Sequence, residues 1–474
     1  MQFLVFVLLT SLIAVLTWWK CRGKGAGAAG QGSAAKDYFL AGGGLSWVFI
    51  AGSLTLTNIN TDTLVGWNGN QMLMVIWWEL AGVIGLLLLA HLFLPLYYKE
   101  GCTTVTELLE RKYDNRDLRA TVATLFLVGN VFIFLPIMLY TSSLFLKHLF
   151  DLEVPLMVIA TVTAAVGGAY AIFGGLRAVA VSDTFSGVLL FAMALLVVVL
   201  ALNAVDWDLS GLPAERKAWF GGTGSTLPWH AILTGMVFVQ LYYWSTNQTI
   251  TQRALAAPNL REAQKGCYAA AVLRGTIVPL IVIVPGLCAY QLFGDLGDAT
   301  YGTIVSAVLP KTLSGAFAAA ILAATMTSFN STLNASAALY VCDLHQRYLN
   351  PAVKIRPLSV GVSVLFAVLG VVLVPAYMGA ESIIQLIQQL IGLFSMPILA
   401  AFITGLLFRG VDARAVIASL VFGALLYACF TFFWSPLHFL HLMAITLVSC
   451  VLFALAVNAG VLGGRAQFAF ARQH

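Results

Sequence analysis

The sequence predicts an all-α polytopic membrane protein with about 13 transmembrane helices, and three observations predict it. Of 474 residues, 60% are hydrophobic and only 9% are Asp, Glu, Lys or Arg, against roughly 25% charged residues in soluble domains. Thirteen apolar runs, each near the ~20 residues that cross a bilayer, are separated by short polar breaks. The cations, finally, cluster on alternate loops. There is too little charge to cover a water-facing surface, and a soluble chain of this length would split into domains and expose still more of it. A soluble enzyme and a nucleic-acid-binding module are thereby excluded, and the net charge of +5 implies no polyanionic partner.

The runs are 1–19, here the leading span, then 45–67, 73–98, 119–146, 153–173, 182–204, 228–250, 266–292, 312–342, 357–376, 380–408, 411–433 and 439–462, the first to twelfth spans. With the N-terminus outside and the C-terminus cytoplasmic, twenty of the 25 Lys and Arg fall in inner loops. Only Lys147, Arg216, Lys217 and Lys311 are outside, and Arg274 lies within a span. That bias follows the positive-inside rule and would be scrambled by one span more or fewer. The leading span has no cation before it and four after it, which predicts a retained helix rather than a cleaved signal. Residues 20–36 read as a Gly/Ala-rich linker. Residues 99–119 read as a short amphipathic helix at the inner surface, its charges forming a solvated face. The seven cysteines are dispersed, without a CxxC pair, which disfavours a disulfide framework or metal cluster.

Polarity inside hydrocarbon survives only beside a cavity or within protein, so the polar stretches of the spans are informative. The first span reads SLTLTNINTDTLVGWNG. A run this rich in oxygen and amide groups predicts a helix interrupted near mid-membrane, whose freed carbonyls can bind ions and polar solutes; helix–helix glue is the competing use. The second span carries Glu79 beside Trp77 and Trp78, either in a pocket or snorkelling outward. The sixth span, VQLYYWSTNQTITQR, sets aromatic faces beside Gln240, Asn247 and Gln248, a composition suited to a polar ligand. In the eighth, AATMTSFNSTLNASAAL, helical spacing puts Thr327, Asn330, Ser331 and Asn334 on one face. Neutral oxygens without thiol or imidazole suit a hard monovalent cation, and a hydroxyl-rich packing seam accounts for the spacing equally well. Asp183 opens the fifth span, and Arg274, well inside the seventh, is expected to face the bundle interior.

These stretches resemble the sodium/solute symporter family, which includes the sodium/glucose cotransporters. The resemblance rests on YYWSTNQTITQRALAAPNLREAQKG, FLAGGGLSW with the polar first span, AIFGGLRAVAVSD, and QLIGLFSMPILAAF. It covers residues 37–430 and is closest in pattern to bacterial sodium/galactose symporters. It implies a LeuT-type core of five-plus-five inverted repeats: 45–204 (first to fifth spans) and 205–408 (sixth to tenth). Residues 1–44, the leading helix and linker, and 409–474, two further helices and a short tail, lie outside that core. For the coupling ion, sodium, it implies the carbonyls of Leu56, Ile59 and Ala324 and the hydroxyls of Thr327 and Ser328. A second sodium would use Asp183, Asn330 and Ser331. For the solute it implies Asn58, Thr63, Glu79, Gly82, Gln240, Arg274 and Gln388, with Tyr243 as an aromatic gate.

The expected function is sodium-coupled symport of a small polar solute across a plasma membrane, the bacterial inner membrane, by alternating access. A sugar or polyol is the first choice. Arg274, where a lysine is usual, keeps an anionic solute such as a sugar acid, sialic-acid-like molecule or other organic anion open unless Glu79 neutralises it, since a guanidinium holds a carboxylate bidentately. Proton coupling through Asp183 or Glu79 is a further alternative. A membrane enzyme is disfavoured: the seven histidines are dispersed, no HExxH, GxSxG or GxxxxGK[ST] occurs, and His438 and His441 read as a surface feature.

Overall fold

A computed structural model describes residues 34–149, 152–378 and 383–469, with scattered positions of the leading segment. The leading span and most of the linker thus lie outside the described residues. Among the described residues nine helices are long and apolar enough to cross a membrane, and they coincide with the second, third, fifth and seventh to twelfth spans. The fourth span lies inside one 49-residue helical run, Leu156–Ala204, which also contains the fifth. Its two halves pack against the same stretch of the eighth helix, for Ile159 clusters with Leu322 and Met326, Gly167 lies against Met326, and Asp183 bonds Thr327, so the run doubles back between them. The reversal between the fourth and fifth spans lies in that interval, which contains Arg177.

The first and sixth spans are both interrupted. The first consists of Trp47–Leu56 and Thr61–Asn70. Asn60 causes the restart: its backbone is extended, and its side chain accepts from the Thr63 amide at 3.0 Å. The sixth winds through Trp229–Ala231, Ile232–Met236, Val237–Leu241 and Tyr242–Thr246, breaks at Asn247, and resumes as Gln248–Leu255. There the Asn247 side chain accepts from the Thr249 amide at 2.9 Å. A capping asparagine thus satisfies orphan amides mid-membrane in both spans.

The eighth helix is the most enclosed of the nine, so its hydroxyl- and amide-rich stretch 325–336 faces protein instead of lipid. Around it the apolar side chains form two large cores. One gathers Phe93, Phe126, Trp244, Phe402 and Tyr427; the other gathers Ile59, Val197, Ile281 and Phe317.

At the end bearing the basic loops, the amphipathic segment is the helix Thr106–Tyr113, but not all of its charges face solvent. Arg119, 1% exposed, donates to Asp343 at 2.8 and 2.5 Å, to Glu107 at 2.9 Å and to Glu110 at 2.5 Å. Asp343, from the end of the eighth span, also accepts from Thr104 at 2.8 Å. The solvated face expected there is corrected to a buried ion network, because a distant carboxylate folds onto it. At the opposite end, His441 is likewise drawn in: its Nε2 lies 2.6 Å from His230 Nδ1, the rings stack, and Thr234 bonds its other nitrogen at 2.7 Å.

Candidate functional site

The two helix interruptions face one cavity of about 180 Å³, below the ~300–1,000 Å³ of drug-sized ligand sites and scaled to one small solute. Asn58, Thr63, Glu79, Gln240, Tyr243 and Arg274 line it, and Gly82 is not among its lining residues. Gln388 belongs to the tenth helix, Ile383–Leu407, but its side chain lies outside the described residues.

Arg274 organises the cavity. It is ion-paired with Glu79, and both are 2% exposed. Its guanidinium lies over the Trp244 ring, 4.6 Å from the centroid, a cation–π contact. Trp244 is held in turn, since its indole N–H donates to Gln240 Oε1 at 2.9 Å and Gln240 Nε2 donates to the Trp78 carbonyl at 2.8 Å. Asn58 lies between the Arg274 guanidinium and the Tyr243 hydroxyl. With its amide oxygen toward Arg274 it accepts at 2.9 and 3.0 Å, and its nitrogen donates to Tyr243 at 2.6 Å.

Gly82 contributes by what it lacks. A Cβ there would stand 3.2 Å from Trp244 Nε1 and 3.3 Å from Arg274 Nε. Gly85, one turn on, is tighter: a Cβ would meet Trp244 Cδ1 at 2.7 Å and the Gln240 carbonyl at 2.8 Å. The pair lets Trp244 and the guanidinium lie against the second helix. Arg274 Nε and Asp62 Oδ1 are buried without hydrogen-bond partners among the described residues. Buried polar atoms rarely remain so, and a solute's hydroxyls would satisfy them.

Sequence reasoning missed the third span's share of the wall, Asn130, Phe134 and Met138. A signal existed: Asn130 is the lone amide in VATLFLVGNVFIFLP. It sits in a wide turn, Gly129–Phe134, and donates to Ser336 at 3.1 Å. Trp67, Trp78, Thr249 and Thr332 also line it, with Asn60, Asp62 and Asn247.

Beside this cavity the first and eighth helices meet through oxygens. Ser328 donates to the Thr57 carbonyl at 2.9 Å and to the Ala324 carbonyl at 3.2 Å; Thr327 donates to Ala324 at 2.7 Å. The Thr61 and Thr325 hydroxyls are 2.7 Å apart. The Leu56 carbonyl accepts the Ile59 amide at 3.2 Å. Asp183, fully buried, bonds to Ser53 and stands 3.9 Å from Arg253, which also donates to Ser53 at 2.8 Å. Ser331 spends its hydroxyl on the Thr327 carbonyl at 2.6 Å, while Asn330 Oδ1 and both amide atoms of Asn334 are buried without hydrogen-bond partners among the described residues. The donor set is hydroxyl, carbonyl and carboxylate oxygen, the chemistry of a hard cation. Among the described residues no cluster of three or more His, Cys, Asp or Glu could hold a metal.

Comparison with known proteins bears on the family and the fold. The chain is 34% identical to the uncharacterized symporter YidK of Escherichia coli (strain K12), over 97% of this chain and 83% of that relative. It is 29% identical to the sodium/glucose cotransporter of Vibrio parahaemolyticus, over 88% and 82% of the two chains. A solved structure, the substrate-bound outward-open state of a Na+-coupled sialic acid symporter, superposes with a TM-score of 0.85 at 17% identity, covering 98% of both chains; it shares the fold. The sodium:solute symporter family model matches residues 38–423, and the chain therefore belongs to that family of membrane transporters, which couple solute movement to sodium and are not enzymes.

Proposed function

We propose that the chain imports a neutral polyhydroxylated solute, a sugar or polyol, driven by sodium entry. The observation that carries this reading is the Glu79–Arg274 pair. A free guanidinium would favour a carboxylate, but Arg274 is already neutralised by Glu79 and faced by Trp244 and Asn58. Asp62 adds a second carboxyl group to the lining, so the cavity carries no surplus positive charge. What it offers is a ring of donors and acceptors beside the indole faces of Trp67 and Trp78, suited to hydroxyl groups on an apolar ring face.

In the mechanism we infer, the Thr327 and Ser328 hydroxyls hold sodium with carbonyls of Leu56, Ile59 and Ala324. The ion bridges the first and eighth helices and fixes the interrupted first span, which carries Asn58 and Thr63 into the solute cavity. Tyr243, bonded to Asn58, closes the inner side until the solute leaves. Each sodium contributes ~2.3 kcal/mol per 100 mV of membrane potential, plus its concentration gradient. Asp183, Asn330 and Ser331 are the groups for a second ion. The matching interruptions in the first and sixth spans, each the opening helix of its five, support inverted repeats over 45–204 and 205–408. The loop cations support a plasma-membrane orientation with the N-terminus outside. A thermal-shift screen of the purified protein against sugars, polyols, sugar acids and amino acids tests the proposal. The expected result is a shift for a sugar or polyol in sodium buffer that is absent in choline; a shift confined to carboxylates would favour the anionic reading.

A further inference from the structure

A second cavity, of about 730 Å³, lies away from the solute site, at the membrane end that carries the basic loops. It is enclosed by the end of the second span, the amphipathic helix, the turn after the tenth span, and the chain's tail. Its walls are of two kinds. Leu92, Pro95, Leu96, Leu406, Phe408 and Val411 form an apolar side; Arg111, Lys112 and Arg409 stand at its rim, against the single carboxylate of Glu100. All three cations are exposed, and among the described residues none of them forms an ion pair.

The backbone builds this shape deliberately. Tyr113, at the end of the amphipathic helix, is fixed by its hydroxyl on the Ala401 carbonyl at 2.9 Å and packs where Gly405 leaves room. Phe408–Arg409 pairs with Gln467–Phe468 as a two-stranded ribbon, and Ala469 donates to the Leu407 carbonyl at 2.7 Å. The ribbon turns Arg409 to the rim while Phe408 lines the wall, with the positive φ of 74° at Gly410 permitting the reversal.

We propose that this cavity binds an anionic phospholipid, its phosphate and headgroup held by Arg111, Lys112 and Arg409 and its acyl chains lying on the apolar side. Apolar surface, open at Leu92 and partly exposed at Pro95, Leu96, Leu406 and Phe408, next to unpaired cations at the end bearing the basic loops matches both halves of such a molecule. A soluble anion would satisfy only the cations and leave Leu92, Leu96 and Phe408 facing water.

The test uses the full chain in detergent, with native mass spectrometry and thermal unfolding as readouts. Phosphatidylglycerol, phosphatidylcholine and inorganic phosphate are the probes. The unsubstituted protein is expected to retain phosphatidylglycerol and to melt higher with it, with no comparable effect from the other two. Each surface cation contributes a factor of roughly five, so R111Q/K112Q/R409Q is expected to bind phosphatidylglycerol about a hundredfold more weakly. The charge-preserving R111K/K112R/R409K variant is expected to keep most of the affinity. Equal retention of phosphatidylglycerol by the triple glutamine variant would overturn the proposal. So would stabilisation by inorganic phosphate or phosphatidylcholine as large as that by phosphatidylglycerol.

Discussion

Replacing Glu79 by Gln tests the electrostatics of the solute cavity. The substitution is nearly isosteric but leaves Arg274 as a charge without its partner, 2% exposed. Removing one member of a buried pair costs about 3–5 kcal/mol, which is between about a hundredfold and a few thousandfold in an equilibrium constant. Some of that cost appears as lower stability and the rest as weaker binding of a neutral sugar. An added carboxylate recovers part of it, because the freed guanidinium accepts a bidentate anion. Glu79→Gln is therefore expected to exchange preference: binding of the neutral sugar falls, while that of the corresponding uronic acid rises. Arg274→Gln loses affinity for both, and the double variant regains stability relative to either single one. Titration of intrinsic tryptophan fluorescence in sodium buffer, with Trp244 and Trp78 at the site, reads the affinities, and thermal unfolding reads the stability. The reasoning fails if Glu79→Gln binds the neutral sugar unchanged, or if the two single effects simply add in the double variant.

Other perturbations follow from the same geometry. Thr327→Ala and Ser328→Ala each remove one oxygen next to the Ala324 carbonyl; we expect the half-saturating sodium concentration for uptake to rise on the order of tenfold or more, with little change in solute affinity at saturating sodium. Gly85→Ala pushes a methyl into Trp244 and the Gln240 carbonyl, an overpacking cost of about 1–3 kcal/mol, seen as lower solute affinity with the sodium dependence intact. Asn60→Ala and Asn247→Ala each delete a mid-membrane cap, expected to cost about 1 kcal/mol in reversible unfolding and to impair transport more than their stability loss accounts for. Asn130→Leu removes the third span's bond to Ser336 and is expected to reduce uptake while leaving sodium-induced stabilisation in place.

Much of the site was legible because a membrane makes polarity conspicuous. SLTLTNINTDTLVGWNG announced the first interruption, and the structure places it at 57–60, between Leu56 and Thr61. Arg274 and Glu79 were each identified as out of place, and neutralisation of one by the other was raised from charge alone; they lie on the second and seventh helices, and the fold brings them together. Trp244 was one ring of an aromatic run, and nothing in spacing marked it as the platform under Arg274. Asn130 went unassigned because one amide in an apolar span fits a packing contact as readily as a site. At the basic end, the buried Arg119 network was hidden because its carboxylate, Asp343, comes from the far end of the eighth helix.

The central claim, that sodium entry drives a neutral polyhydroxylated solute through the cavity between the first and sixth spans, is tested most directly in proteoliposomes. A radiolabelled sugar or polyol picked out by the thermal screen is followed under an inward sodium gradient with an inside-negative potential. The account predicts accumulation above the external concentration, abolished when choline replaces sodium and reduced when the potential is collapsed. Equal accumulation in choline with an inward proton gradient, or mere equilibration with sodium present, would contradict it.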